Sequence, residues 1–78
     1  MPGHPSVAVT LNALANVYRD QERYAEAEPI YRRALRIRQS TLETDDSAIA
    51  EILTDLAKML RKMGRVAEAE RLEARVGT

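Results

Sequence analysis

Apolar residues recur at steps of three and four positions in four stretches of the chain, the spacing of one face of an α-helix. The first stretch begins near Pro5, the second covers residues 25–38, the third follows a polar capping run at 44–47, and the fourth covers residues 67–76. Gly64, just before the fourth stretch, is the residue type that commonly ends a helix in the left-handed conformation. The pattern predicts an all-α fold of two antiparallel helix pairs.

Proline inside the second stretch is a possible break in that helix. Pro29 is expected near the first turn, where leading N–H groups have no partner within the helix anyway. We therefore expect only a small kink.

The chain repeats itself at an offset of 42 positions, since Arg-Tyr-Ala-Glu-Ala-Glu at 23–28 returns as Arg-Val-Ala-Glu-Ala-Glu at 65–70. The offset holds without a gap from His4, aligned with Asp46, to Arg36, aligned with Thr78. Self-similarity at a fixed period is typical of solenoids, in which each unit buries its apolar face against its neighbours. We predict one domain, 1–78, with repeat one at 4–45 and repeat two at 46–78, the latter ending in a truncated, cap-like helix.

Small residues such as Ala15, Ala27 and Ala34 alternate with bulky ones across each predicted helix pair. Together with His-Pro-x-Val-Ala at 4–8, Leu-Asn-x-Leu-Ala at 11–15 and Arg-Tyr-x-Glu-Ala-Glu-Pro at 23–29, this pattern resembles the tetratricopeptide repeat. The period of 42 residues exceeds the roughly 34 of the common form and is similar to the kinesin-light-chain type. The resemblance implies a short right-handed α-solenoid that binds a peptide or protein.

Three positions depart from that family pattern. Glu22 occupies the turn where glycine is usual, so the first two helices could run together and exchange with another chain, although Pro29 argues against it. Asp55, like Ala13 in repeat one, replaces an asparagine that holds the peptide backbone in relatives, which puts the usual binding mode in doubt. Glu73 replaces Tyr31, which makes the last helix more polar and similar to a terminal cap.

The resemblance places the first helix of each pair along a concave groove. The two asparagines there can donate to and accept from an extended backbone, and the basic residues could meet an acidic group or a C-terminal carboxylate. The candidate groove residues are Asn12, Asn16, Arg19, Thr54, Lys58, Arg61 and Lys62. The alternative is that these residues form an ordinary solvated polar face.

Composition offers little chemistry beyond binding. Twelve basic and twelve acidic residues balance, so we expect no general binding to nucleic acid or to a membrane surface. The chain has no cysteine, which fits a cytoplasmic location, and no apolar run approaches the roughly 20 residues of a membrane span. His4 is the only histidine and stands at a helix start. We expect no catalytic, metal or cofactor site, and hence no enzyme.

The number of repeats predicts self-association. About three repeats are usually needed for a stable array, and this chain has two. The first helix has no preceding neighbour, so its apolar residues Val7, Val9, Leu11 and Val17 are expected to meet a second copy in a twofold dimer. The sequence thus indicates a self-associating protein-interaction module. The alternative is a purely structural unit, or a fragment of a longer array, with no ligand of its own.

Overall fold

The computed structural model describes residues 5–40 and 46–76, and these form four α-helices. The helices are α1 (Pro5–Asp20), α2 (Tyr24–Gln39), α3 (Asp46–Lys62) and α4 (Val66–Val76). Each lies within one or two residues of its predicted bounds, so the predicted all-α fold is confirmed. His4, Thr44 and Asp45, which were expected at helix starts, lie outside the described residues.

Both helix pairs close through the same left-handed turn. Gly64 has a φ of 83°, and Glu22, at the equivalent position, has a φ of 60°. The next N–H reaches back into the preceding helix in each case, from Arg23 to the Tyr18 carbonyl at 2.9 Å and from Arg65 to the Leu60 carbonyl at 2.8 Å. These bonds satisfy carbonyls that a helix end would otherwise leave unpaired. α1 and α2 therefore form a hairpin and do not run together as one helix, despite the glutamate.

Pro29 lies one turn deeper in α2 than the sequence suggested. α2 begins at Tyr24, and the first bond of full α-helical span runs from the Ala27 N–H to the Arg23 carbonyl. Pro29 therefore lies in the second turn, where it removes a donor that would have served the Ala25 carbonyl. Ala25 and Pro29 are both exposed residues, and α2 continues without a break to Gln39.

The core lies between the two hairpins. Fully buried alanines bring the helices close together, and larger side chains fill the space between them. The largest completely buried side chains are Tyr31, Leu56, Met59 and Leu60. α2 packs against α3 across the boundary between the repeats, and α1 also touches α3 there, which leaves a groove between the first helices of the two pairs.

Candidate protein-binding groove and an uncovered helix face

A pocket of about 200 Å³ opens between α1 and α3, at the end where α2 finishes. Alanine side chains on both helices make it hollow, and four polar residues reach its wall. The lining residues are Ala8, Val9, Asn12, Ala13, Asn16, Arg38, Ala48, Glu51 and Ile52. The pocket therefore combines a small apolar floor with donors and acceptors.

Asn12 is the most buried of the predicted groove residues, with 8% of its surface exposed. Its amide nitrogen donates to Asp55 Oδ2 at 3.3 Å, while Oδ1 is buried and has no hydrogen-bond partner among the described residues. A buried unpaired acceptor costs about 1–3 kcal/mol, so an incoming N–H donor would recover that energy. The Nε of Arg38 is also buried, and this donor has no hydrogen-bond partner among the described residues.

Asp55 links the two repeats. Besides accepting from Asn12, its carboxylate lies 3.8 Å from Nη1 of Arg19, and both charged side chains are mostly buried. Arg19 also contacts its neighbour Asp20 at 3.4 Å. Asp55, which was expected to put the usual mode of peptide binding in doubt, here binds residues of its own chain. Arg19 thus lies in an internal ion pair, although its buried Nη1 makes no hydrogen bond to a described residue.

Asn16 and Tyr31 form a second internal contact, in which the Tyr31 hydroxyl donates to the Asn16 side-chain oxygen. Tyr31 is completely buried, and this burial raises the pKa of its phenol to about 12. The bond occupies the Asn16 oxygen. The Asn16 amide nitrogen makes no hydrogen bond to a described residue and remains as a donor beside the pocket.

In repeat two, the residue at the Tyr31 position makes an ionic contact with a different partner. Glu73, at the Tyr31 position, pairs with Arg61, at the Arg19 position, with Nε to Oε2 at 3.1 Å. The hydrogen bond from Arg61 holds the pKa of the Glu73 carboxyl below its usual range. Lys58 and Lys62 are exposed and form no ion pair within the described residues, whereas Thr54 is half-buried. Of the predicted cations, only these two lysines are available to a partner.

Sequence reasoning missed Arg38 and Glu51 as pocket residues. Arg38 lies on the second helix of its pair, which the family resemblance assigns to the outer side. It reaches the pocket because α2 returns antiparallel beside α1. Glu51 is the equivalent, at the offset of 42, of Val9, which also lines the pocket. The internal repeat could therefore have indicated Glu51 once Val9 was placed in the groove.

One face of α1 is apolar and uncovered. Val7, Leu14 and Val17 are 40%, 41% and 51% exposed, whereas Leu56 and Met59, the repeat-two equivalents of Leu14 and Val17, are completely buried. Of the residues expected to self-associate, Val7 and Val17 lie on this face. We refer to Val7, Leu14 and Val17 as the α1 face.

The other two predicted self-association residues lie elsewhere. Val9 lines the groove pocket, and Leu11 is half-buried against the core. Leu14, which was not among the residues expected to self-associate, belongs to the α1 face as well. Its equivalent Leu56 is covered by α2, whereas none of the described residues covers Leu14 in the same way.

Four charged residues outside the groove pocket join the two hairpins. Arg65 bonds to Glu28 of repeat one at 2.7 Å and to Glu68 of its own helix pair at 2.7 Å. Arg32 contacts the same two glutamates at 2.8 and 3.7 Å. The pKa of the Glu28 carboxyl is lowered, first by the hydrogen bond from Arg65. We call these residues the inter-repeat ion-pair cluster.

The two helix hairpins, their matching turns and the core shared across a repeat boundary define a helical-repeat scaffold. A tetratricopeptide repeat family model matches residues 6–76, so the chain belongs to the tetratricopeptide repeat family. Repeats of this family mediate protein–protein interactions, which makes the chain an interaction module.

Two curated relatives carry the name tetratricopeptide repeat protein 19, mitochondrial. The rat protein is 36% identical over 59 residues, covering 76% of this chain and 16% of the relative. The human protein is also 36% identical over 59 residues, covering 76% of this chain and 15% of the relative. The chain therefore spans about one sixth of the length of these relatives. No solved structure shows a significant match to it.

Two further observations concern the described part of the chain. None of its helices is both long enough and apolar enough to cross a membrane. Within residues 5–40 and 46–76, no three histidine, cysteine, aspartate or glutamate side chains are grouped so that they could hold a metal ion.

Proposed function

We propose that this chain binds an extended peptide segment of a partner protein along the groove between α1 and α3. The observation that carries the proposal is the pair of unsatisfied buried groups at one pocket, the acceptor Oδ1 of Asn12 and the donor Nε of Arg38. An extended backbone presents both an N–H and a carbonyl at each residue, so it can satisfy both groups.

The rest of the groove indicates the chemistry of that segment. The floor beside Ala13, Ala48 and Ile52 suits a small apolar side chain. Lys58 and Lys62, one turn apart further along α3, suit an acidic side chain or a C-terminal carboxylate. We therefore expect a peptide with a small apolar residue followed or preceded by an acidic group.

The test is selection from a phage-displayed library of random peptides, followed by affinity measurement on the selected sequence. Lys58→Glu with Lys62→Glu should weaken binding tenfold or more. Arg33→Glu with Arg36→Glu, on the exposed outer side of α2, changes the net charge by the same amount and should leave binding unchanged. An equal loss of affinity in the two double variants, or a selection that enriches no peptide, would contradict peptide binding in the groove.

A structural unit without a ligand is the second candidate. It is supported by the internal contacts of Asn12, Arg19 and Arg61, which use groups that a peptide would otherwise meet. It is supported also by the small share of the curated relatives that the chain spans, as expected of a fragment from a longer array. In that case no peptide is selected, while assembly of the repeats persists.

Self-association is the other part of the proposed function. It is supported by the exposure of three large apolar side chains on the α1 face. The equivalents of two of them, Leu56 and Met59, are completely buried in the core. We expect copies of the chain to bury this face in a homo-oligomer, which was expected from the sequence as a twofold dimer.

We also propose that the unit is of the kinesin-light-chain type, because the offset of 42 residues runs without a gap through both repeats. The cytoplasmic location stays a prediction, since both curated relatives are named as mitochondrial proteins. Expression of the chain with a fluorescent tag, followed by cell fractionation, decides between the two compartments.

A further inference from the structure

The internal repeat indicates what kind of surface would cover the α1 face. In repeat two, the equivalents Leu56 and Met59 lie in one core cluster with Ala27 and Tyr31 of α2. The second helix of one repeat thus packs on the first helix of the next. The α1 face presents the same arrangement of apolar residues, so it fits the second helix of another repeat.

The charges near that face lead to the same conclusion. Arg65 holds Glu68 of its own pair and reaches Glu28 of the preceding repeat with Nη1 and Nη2, at 2.7 and 3.0 Å. Arg23, its equivalent, holds Glu26, but its Nη1 turns instead to Gln21 at 3.3 Å. Arg23 therefore bonds to the glutamate of its own repeat, as Arg65 does, but no described glutamate of another repeat bonds to it.

The opposite end of the molecule carries that glutamate. Glu70 is the equivalent of Glu28, is exposed, and forms no ion pair within residues 5–40 and 46–76. On the same helix, Val76 is 40% exposed, whereas Leu72 is half-buried against the core of its own chain. One end of the unit thus offers three exposed apolar residues with an arginine, and the other offers Val76 with a glutamate.

We infer that copies of this chain associate head to tail, with α4 of one copy on the α1 face of the next and Glu70 of the first bound to Arg23 of the second. The inference rests on the proposed self-association and is independent of the groove. The contact between two chains would then repeat the contact between the two repeats of one chain, with α4 in the place of α2 and α1 in the place of α3.

Glu73 is compatible with this arrangement. It replaces the buried Tyr31, and a lone carboxylate at an interface would be unfavourable. Its partner Arg61 belongs to the same repeat, so association does not leave Glu73 unpaired. α4 is also shorter than α2, with 11 residues against 16, so the contact between copies is smaller than the one between repeats. We expect a weak association that depends on concentration.

A twofold dimer through two α1 faces makes less use of these features. It would bury the apolar residues of the α1 face, but it provides no carboxylate for Arg23 and leaves Glu70 and Val76 exposed. Head-to-tail association would cover the α1 face and the α4 end and would pair Arg23 with Glu70. The test must distinguish it from the twofold dimer.

Blocking the two ends separately distinguishes the arrangements. Val17→Glu blocks the α1 face and Val76→Glu blocks the α4 end, both at exposed positions. Arg36→Gln, on the exposed side of α2, changes the net charge equally and serves as the control. The mass of each protein, and of an equimolar mixture, is measured by sedimentation and light scattering from micromolar to millimolar concentration, with circular dichroism to verify folding.

Head-to-tail association predicts that the unmodified chain and the control grow beyond dimers with concentration. Each blocked variant alone stays monomeric, and the mixture forms a dimer, because each variant keeps one working end. A dimer of Val76→Glu alone would establish the twofold arrangement and overturn the inference. An unmodified chain that stays monomeric throughout, or blocked variants that assemble like the control, would overturn it as well.

A charge reversal tests the ion pair itself. Arg23→Glu should weaken association about fivefold, as loss of an exposed pair implies, and Glu70→Arg should do the same. The double variant carries both changes in one chain and restores an oppositely charged pair between copies, so its association should return to the original strength. Failure of the double variant to recover, with folding intact, would overturn the pairing. None of these changes lies in the groove, so peptide capture remains as a separate readout.

Discussion

Glu28 and Arg65 are joined by two hydrogen bonds across the boundary between the repeats, at 2.7 and 3.0 Å. The two residues are 37 positions apart, and the glutamate side chain is 19% exposed. The contact is therefore a bidentate ion pair with limited access to water, the kind of surface pair that contributes measurably to stability. It fixes how the second hairpin lies on the first.

Replacing Glu28 with glutamine keeps the shape and removes the charge. Glu28→Gln should lower the free energy of unfolding by about 1 kcal/mol, because Arg65 and Arg32 lose their shared carboxylate. Urea unfolding of dilute protein gives the value. Glu70→Gln, the same change at the equivalent position without an ion pair, should alter stability by less than about 0.5 kcal/mol. Equal effects of the two changes would contradict this role for Glu28.

The same cluster should make the protein sensitive to acid. Hydrogen bonds from Arg65 lower the pKa of the Glu28 and Glu68 carboxyls below the ordinary value of 4.5. A lowered folded-state pKa means that the stabilisation is present above the unfolded value and is lost as the pH falls through the folded one. The melting temperature should thus stay constant from neutral pH down to about 5 and should fall below about pH 4.5. Glu28→Gln should flatten that decline, and an unchanged slope would contradict the assignment.

Glu22 and Gly64 form a matched pair for testing the turns. A left-handed conformation costs a non-glycine residue about 1–2 kcal/mol, and glycine avoids this cost. Part of the gain is lost, because the unfolded chain has more conformational freedom with glycine than with another residue. Glu22→Gly should therefore stabilise the protein by about 0.5–1 kcal/mol. Gly64→Ala should destabilise it by about 1 kcal/mol through backbone conformation alone, because an added Cβ would meet no atom within 4 Å. Melting temperatures that move in the same direction for both variants would refute the explanation.

Asp55 should contribute to stability and not only to the groove. Asp55→Ala removes the partner of the Asn12 amide and of Arg19 at a mostly buried position, so we expect a loss of about 1–3 kcal/mol in urea unfolding. Asp55→Asn keeps an acceptor for Asn12 and should cost less. If Asp55→Ala left the free energy of unfolding unchanged, the contacts of Asp55 with Asn12 and Arg19 would not stabilise the protein.

The fold could be predicted from the sequence because its signals are local. The period of apolar residues gave the four helices, and the offset of 42 placed Glu22 and Gly64 at the same point of two hairpins. Pro29 was placed one turn too early, because the exact start of α2 depends on how the turn closes at Arg23. The candidate site was predicted less well. Asn12 and Asn16 do lie beside the pocket, but Arg38 was missed there and Arg61 is held by Glu73.

The sequence by itself determined the four helices, their pairing into two repeats and the family resemblance, since these follow from spacing along one chain. Only the tertiary structure decided which polar groups are already used, as in the contacts of Asp55 with Asn12 and Arg19, and which apolar side chains are left uncovered, as at Leu14. The physical reason is that a residue's angle on its own helix follows from its position in the sequence. Whether that face meets another helix, a counter-charge or water depends on distances between separate elements.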